Sequence, residues 1–180
     1  GLCDIRNIGS GNIGATNVLR TGNKALAAAT LILDGAKGAV AALIVLNWGV
    51  EAALLAGFAA VLGHLYPVWL RFQGGKGVAT TLGCLIALDW QAGVGACVTW
   101  LIIAAVFRIS SLSALVAMAA SPVLVWFLPM PDFSAAARVE VALFAAALAA
   151  LVWAKHHANI RRLLQGSEPR IGAGKHSHNA

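Results

Sequence analysis

Six apolar stretches, at roughly 25–46, 50–70, 78–88, 92–107, 112–128 and 136–153, follow one another with only short polar turns between them. No other feature limits the fold so tightly. Inside a bilayer every backbone polar group must find its partner within the protein, so only helices and closed barrels can cross. Barrel strands alternate apolar and polar residues over short segments, whereas these runs are continuous. Only 11% of the residues are charged and 59% are hydrophobic, against about 25% charged in soluble domains. The expected fold is all-α: a polytopic integral membrane helical bundle with six spans, forming a single membrane-embedded domain over 1–180.

The fourth stretch, 92–107, is short for the roughly 20 residues a span requires, which leaves open a single long helix over 78–107. Charge decides between the readings. With six crossings, the loops before 25, at 70–78 and at 107–112, together with the tail after 153, share one side. They carry Arg6, Arg20, Lys24, Arg71, Lys76, Arg108, Lys155, Arg161, Arg162, Arg170 and Lys175, eleven of the thirteen lysines and arginines. Only Arg138 faces the other way, and Lys37 lies within a span. The opposite loops hold Glu51, Asp89, Asp132 and Glu140. The positive-inside rule favours six crossings with both ends of this chain cytoplasmic. A merged helix would send Arg108 and the basic tail outside.

The remaining composition excludes several classes. Cys3, Cys84 and Cys97 are odd in number and lack CxxC spacing, so no disulfide framework or zinc site is implied. No basic tract is interleaved with aromatics, so no nucleic-acid partner is expected. Within the first span, Asp34 and Lys37 stand three apart and share a helix face. Intramembrane charges are often functional; a neutralised structural pair, or a helix broken at Gly35 and Gly38, is the alternative.

Three polar stretches fall on the basic side. In "GSGNIGATNVLR", residues 9–20, glycines allow consecutive N–H groups to converge on an anion. Ser10, Asn12, Thr16 and Asn17 add neutral donors, and Arg20 offers a planar fork suited to phosphate. In "GHLYPVWLRFQGGKGVATTLG", residues 63–83, Gly74, Gly75, Lys76 and Gly77 resemble a phosphate loop but not a Walker A motif, because Leu70 and Gly77 stand where Gly and Ser or Thr are needed. Lys76 beside free backbone donors at a helix start makes a good anion site. His64, just upstream, reads as structural. The third, "KHHANIRRLLQGSEPRIG", reads as an amphipathic helix ending at Gly166, with Arg161 and Arg162 facing lipid headgroups. His156 and Asn159, three apart, project from one face, and Glu168 stands ready to orient a basic group. His176 and His178 read as solvated. One membrane face thus gathers two glycine-rich turns, two cations, a histidine and a carboxylate, which suits a phosphate-bearing polar substrate meeting a lipid-borne one.

In order and spacing, "GSGNIGATNVLR", "GHLYPVWLRFQGGKGVATTLG" and "HHANIRRLLQGSEPRIG" resemble the bacterial acyl-phosphate:glycerol-3-phosphate acyltransferases, the PlsY family. The likeness extends to "LDGAKG" and "RISSLSAL". It implies acyl transfer from acyl phosphate to the sn-1 hydroxyl of glycerol 3-phosphate, giving lysophosphatidic acid and phosphate, without cofactor or metal. It also implies the bacterial cytoplasmic membrane, a cytoplasmic active site, and a functional link to the enzyme that makes acyl phosphate. Members carry an apolar segment ahead of the first motif, so the resemblance implies seven helices, the first missing from this chain. Carried over by motif, Ser10, Arg20, Lys76, His156, Asn159 and Glu168 are the catalytic candidates. Gly11, Asn12, Thr16, Asn17, Gly74, Gly75 and Gly77 are the substrate-binding ones. The family often has Arg where His157 stands, and His156 takes the motif role because it lies three before Asn159.

Two mechanisms follow. His156 deprotonates the hydroxyl as general base, or the acyl phosphate's own oxygen takes the proton while His156 and Asn159 position substrate. The second is favoured, because no carboxylate is clearly placed to orient His156. A covalent route through Ser10 or Cys3 lacks an activating base. A phosphate-ester transporter is the rival from another class, but its site is expected near the midplane. A CDP-alcohol phosphotransferase would need further Asp residues after "DGAKG", which are missing.

Overall fold

The computed structural model describes residues 5–7, 11–129 and 134–172. Ser10 lies outside the described residues, as do Cys3, Asp132, Lys175, His176 and His178. The elements are helical: α1 (Ala15–Leu19), α2 (Lys24–Val45), α3 (Val50–Leu65), α4 (Val78–Leu88), α5 (Trp90–Phe107), α6 (Ser110–Phe127), α7 (Ala135–Lys155) and α8 (His157–Leu164). Short 3₁₀ turns occupy Ile5–Asn7, Leu46–Trp48 and Val68–Leu70.

Each expected apolar stretch is a helix, and five of the six are long and apolar enough to cross a membrane. The short one is α4 rather than the 92–107 stretch. α5 runs for 18 residues, but α4 has only 11 and reaches about 16 Å against a hydrocarbon core of about 30 Å. The second stretch also departs from expectation. Its α-helix stops at Leu65, and after Pro67 only the 3₁₀ turn Val68–Leu70 continues it.

Local chemistry sets the boundaries. Asn23 caps α2 by accepting from the Leu26 N–H at 2.9 Å. Asp89, in extended conformation, ends α4 and caps α5 by accepting from Ala92 N–H at 3.0 Å. The chain then doubles back, and Gly93 lies so close to the Ile86 backbone that a β-carbon there would meet the Ile86 nitrogen at 2.5 Å. The 78–107 stretch is therefore two helices.

Gly35 and Gly38 do not break α2, which runs continuously from Lys24 to Val45. They let α4 approach it. A β-carbon on Gly38 would collide with the Thr80 carbonyl oxygen, and one on Gly83 with that of Gly35. Small residues at a crossing are how membrane helices gain contact where lipid removes the hydrophobic drive. α3 and α7 complete the core, in which Ala42, Ala53, Val61, Leu65, Cys84, Leu88, Phe144 and Leu148 are buried together. Large apolar side chains left exposed, such as Ile32, Leu33 and Ile44 on α2 and Leu101, Ile102 and Val106 on α5, form the lipid-facing surface.

The up-and-down order brings six termini to one end of the bundle: the starts of α2, α4 and α6 and the ends of α3, α5 and α7. The first and third motifs flank that end, and the second bridges α3 to α4.

Candidate active site

A cavity of about 890 Å³ opens at that end, lined by parts of all three motifs and by α2, α4, α5 and α6. Arg20, Lys76, His156, Asn159 and Glu168 share it.

The first motif is held by its own asparagines. Asn12 Oδ1 accepts from Gly14 N–H at 2.9 Å. Asn17, only 2% exposed, donates Nδ2 to the carbonyls of Asn12 at 2.7 Å and Ile5 at 3.0 Å. Gly11 has φ +69°, a conformation that favours glycine. Thr16 Oγ1 meets Ser110 Oγ at 3.1 Å, tying α1 to the start of α6. At the end of α1, Arg20 is exposed and lines the cavity, and its guanidinium has no hydrogen-bond or ion-pair partner among the described residues.

In the second motif the expected free donors lie elsewhere than at the first two glycines. Gly74 N–H donates to Leu65 O at 3.3 Å, and Gly75 N–H to His64 O at 3.1 Å. A β-carbon on either would strike His64. These carbonyls end α3 and have no helical partner, so the loop folds onto them. Gly77, at φ +82°, then turns the chain into α4. The unspent N–H groups belong to the first turn of α4, from Val78 onward, where helix termini favour anions. Val78 and Ala79 line the cavity beside Lys76.

The third motif begins where α7 stops. His156 interrupts the helix (φ −95°, ψ 8°), and α8 starts at His157 rather than continuing through. His156 and Asn159 are thus not on one uninterrupted helix face, yet both line the cavity. α8 ends in a Schellman motif, with Gly166 N–H on Leu163 O at 3.1 Å and Ser167 N–H on Arg162 O at 2.9 Å. Gly166 takes φ +67° there. That reversal carries Glu168 back over α8.

Glu168 does not touch His156. Its Oε1 accepts from Ser111 Oγ at 2.7 Å and Asn159 Nδ2 at 2.5 Å, and Oε2 from Arg162 Nε at 2.6 Å. Asn159 Oδ1 in turn accepts from Lys76 Nζ at 2.6 Å. Both ends of the Asn159 amide are fixed, and a chain of bonds runs from Glu168 to the lysine.

Electrostatics follows from this arrangement. Burial pushes Lys76 down to about 8, with Glu168 opposing and Arg162 and Arg20 adding to the fall. Burial pushes the Glu168 carboxyl up, but bonds from Ser111, Asn159 and Arg162 outweigh it and hold it below the usual range. His156, 2% exposed, is driven by burial to about 4, against the opposing bond to Val152 and the Glu168 charge. Its Nδ1 lies 2.7 Å from Val152 O, which can only accept, so Nδ1 carries the proton and Nε2 a lone pair. A backbone carbonyl, not a carboxylate, orients this ring.

Below the polar end, Leu31, Ile32, Leu82, Ile86, Trp100 and Leu101 give the cavity an apolar wall, and several of them are exposed toward lipid. Sequence reasoning missed Ser110 and Ser111 as part of the site. Their signal was a pair of hydroxyls opening a helix on the basic side. It also set His64 apart from Asp34 and Lys37, which it meets.

The family model described as glycerol-3-phosphate acyltransferase matches residues 1–166. The chain belongs to the glycerol-3-phosphate acyltransferase family. It is 58% identical over 176 residues to the glycerol-3-phosphate acyltransferase of Paramagnetospirillum magneticum, covering 97% of this chain and 84% of that one. With the enzyme of Rhodospirillum rubrum it shares 55% over 184 residues, covering 97% and 82%. Its fold is similar to crystal structures of PlsY, an integral membrane glycerol 3-phosphate acyltransferase. Against the glycerol 3-phosphate form the TM-score is 0.85 at 37% identity, over 94% of this chain and 82% of that one. Against the lysophosphatidic acid form it is 0.82 at 36% identity, over 91% and 81%. This glycerol-3-phosphate acyltransferase is a multi-pass membrane protein whose three motifs converge on one cavity.

Proposed function

We propose that this acyltransferase uses acyl phosphate as donor and acylates the sn-1 hydroxyl of glycerol 3-phosphate at the cytoplasmic face of the bacterial inner membrane. The hydroxyl oxygen attacks the acyl carbonyl, the carbonyl–phosphate bond breaks, and lysophosphatidic acid and phosphate leave. The observation that carries the reading is the two-ended cavity: Arg20, Lys76 and the start of α4 at one end, an apolar wall open to lipid below. A phosphorylated alcohol from water and an acyl chain from the bilayer meet there. The eleven basic residues assigned to this side support its cytoplasmic placement. PlsY structures in glycerol 3-phosphate and lysophosphatidic acid forms support the acceptor and product classes.

An acyl phosphate already carries a good leaving group, so the work is to hold two phosphates together and aim a hydroxyl. Arg20 forks onto one phosphate. Lys76 and the Val78–Ala79 N–H groups meet the other, and Ser10 is a further hydroxyl donor for phosphate. Gly11, Gly74, Gly75 and Gly77 shape the two turns, with Asn12, Asn17 and Thr16 holding the first against α6. Glu168 and Asn159 position the lysine. With a pKa of about 4, His156 is poorly matched to general-base work near neutrality. Its Nε2 accepts the hydrogen bond of the attacking hydroxyl, and the departing phosphate takes the proton. The protein therefore works downstream of a reaction that makes acyl phosphate. Purified chain mixed with acyl phosphate and glycerol 3-phosphate should yield lysophosphatidic acid, and acyl-CoA in place of acyl phosphate should yield none. Product from acyl-CoA alone would overturn the donor assignment.

A further inference from the structure

On the cavity wall formed by α2 stands a charged cluster that the mechanism above leaves unused. Lys37 Nζ donates to Asp34 Oδ1 at 2.6 Å and lies 3.3 Å from His64 Nδ1. Lysine has donors only, so Nδ1 accepts, and one ammonium serves both neighbours. Asp34 Oδ1 is 3.5 Å from the same ring nitrogen. All of these contacts fall on Oδ1, and among the described residues Oδ2 has no protein partner. Asp34 and His64 line the cavity; the Asp34 side chain is 14% exposed.

Two packing contacts set the height of this carboxylate. Gly35, its neighbour, rests on Ala79: a β-carbon there would lie 3.5 Å from the Ala79 carbonyl oxygen, in the first turn of α4. The His64 ring abuts Gly75, next to Lys76. Asp34 therefore faces the cavity beside the first turn of α4, where the anion site begins, about one helical turn past Leu31 along α2.

A phosphorylated glycerol presents two hydroxyls besides its phosphate, and each O–H needs an acceptor. Arg20 and Lys76 can only donate. Glu168 already accepts from protein donors at both oxygens and Asn159 at its carbonyl. Among the described residues lining the cavity, His156 Nε2 and Asp34 Oδ2 are strong acceptors with no protein donor. We propose that Asp34 is a specificity-determining residue that accepts the hydrogen bond of the non-reacting C2 hydroxyl, while His156 receives the reacting one. Lys37 offsets the carboxylate charge that would otherwise repel the phosphate. This assignment rests on the glycerol 3-phosphate reading above.

The test compares kcat/KM for glycerol 3-phosphate and for 3-hydroxypropyl phosphate, which lacks only the C2 hydroxyl, with acyl phosphate as donor. A site built to bond a hydroxyl rejects the analogue lacking it, by about tenfold or more for one charge-assisted bond. Wild-type chain should show that preference. Asp34→Asn should lose most of it, by slowing glycerol 3-phosphate while leaving the analogue within about twofold. Asp34→Ala with Lys37→Ala, which leaves no orphan ammonium, should behave alike. Stabilisation by inorganic phosphate confirms that the anion site of each variant is intact. Equal loss on both substrates, or an unchanged preference, overturns the assignment and leaves the acceptor reading standing. Failure of wild-type chain to acylate either alcohol overturns both.

Discussion

Replacing Glu168 with Gln tests the bond chain that holds Lys76. The glutamine keeps the shape but exchanges one oxygen for an amide donor. If that nitrogen takes the Oε2 place it faces Arg162 Nε, at 2.6 Å in the native chain, and two donors oppose each other. If it takes the Oε1 place it meets both Ser111 Oγ and Asn159 Nδ2. Bonds to charged groups contribute about 1.5–3 kcal/mol and are roughly twice as strong as neutral ones. Losing the Arg162 bond and halving the other two costs about 3 kcal/mol at the low end of that range, the end that applies because the Arg162 side chain is 35% exposed. For a chain of this size that corresponds to a fall in Tm of about 6–12 °C. The functional effect has a separate sign. Glu168 raises the pKa of Lys76, which burial sets at about 8, so its removal lowers that value further. Anion binding needs the charged lysine. The alkaline limb of kcat/KM for glycerol 3-phosphate, measured over pH 6–10, should move to lower pH in Glu168→Gln. A limb that stays in place or moves up would refute the coupling of Glu168 to Lys76, whatever the change in Tm.

In the unmodified chain, Lys76 makes stability and activity diverge. The unfolded lysine keeps its proton up to the ordinary lysine value, while the folded one loses it near 8; the unfolded state then binds more protons across that window, and stability rises with pH. Denaturation midpoints should therefore increase above pH 8 while kcat/KM falls, and a parallel decline would contradict the burial of this group. His156→Gln, which keeps an acceptor, should retain turnover within about tenfold, while His156→Ala loses about a hundredfold or more; equal collapse of both would restore the general-base reading. Arg20→Lys keeps the charge but not the planar fork, so KM for one of the two phosphate-bearing substrates, glycerol 3-phosphate or acyl phosphate, should rise about tenfold with kcat less affected, and unchanged KM for both would remove Arg20 from phosphate binding. Gly38→Ala, which forces α2 off the Thr80 carbonyl, should lower stability in detergent by about 1–3 kcal/mol and would show no shift if that crossing were loose.

What the sequence made legible, and what it hid, divides along a physical line. Hydrophobic runs and charge placement are local quantities, and they located the six helices and the separation of α4 from α5. Asp89 was visible there as an acidic turn, though its capping of α5 sets the break. The role of a glycine is not local. Gly74 and Gly75 looked like a nest of outward N–H groups, but that depends on whether another acceptor is nearer. Pro67 stops α3 just beyond Leu65, leaving the His64 and Leu65 carbonyls without helical partners. Those two oxygens capture the Gly74 and Gly75 N–H groups, and the anion is left to the next turn. Asn12 and Asn17 follow the same logic, since their amides serve the loop backbone. Glu168 shows the converse. Gly166 announced a reversal after α8, but only the Schellman geometry decides that the carboxylate returns to Asn159 and Arg162 instead of His156. The side chains that could be placed by type alone are therefore those whose neighbours are fixed by helix ends, and the rest became readable only once the orphaned carbonyls and N–H groups of those ends had been counted.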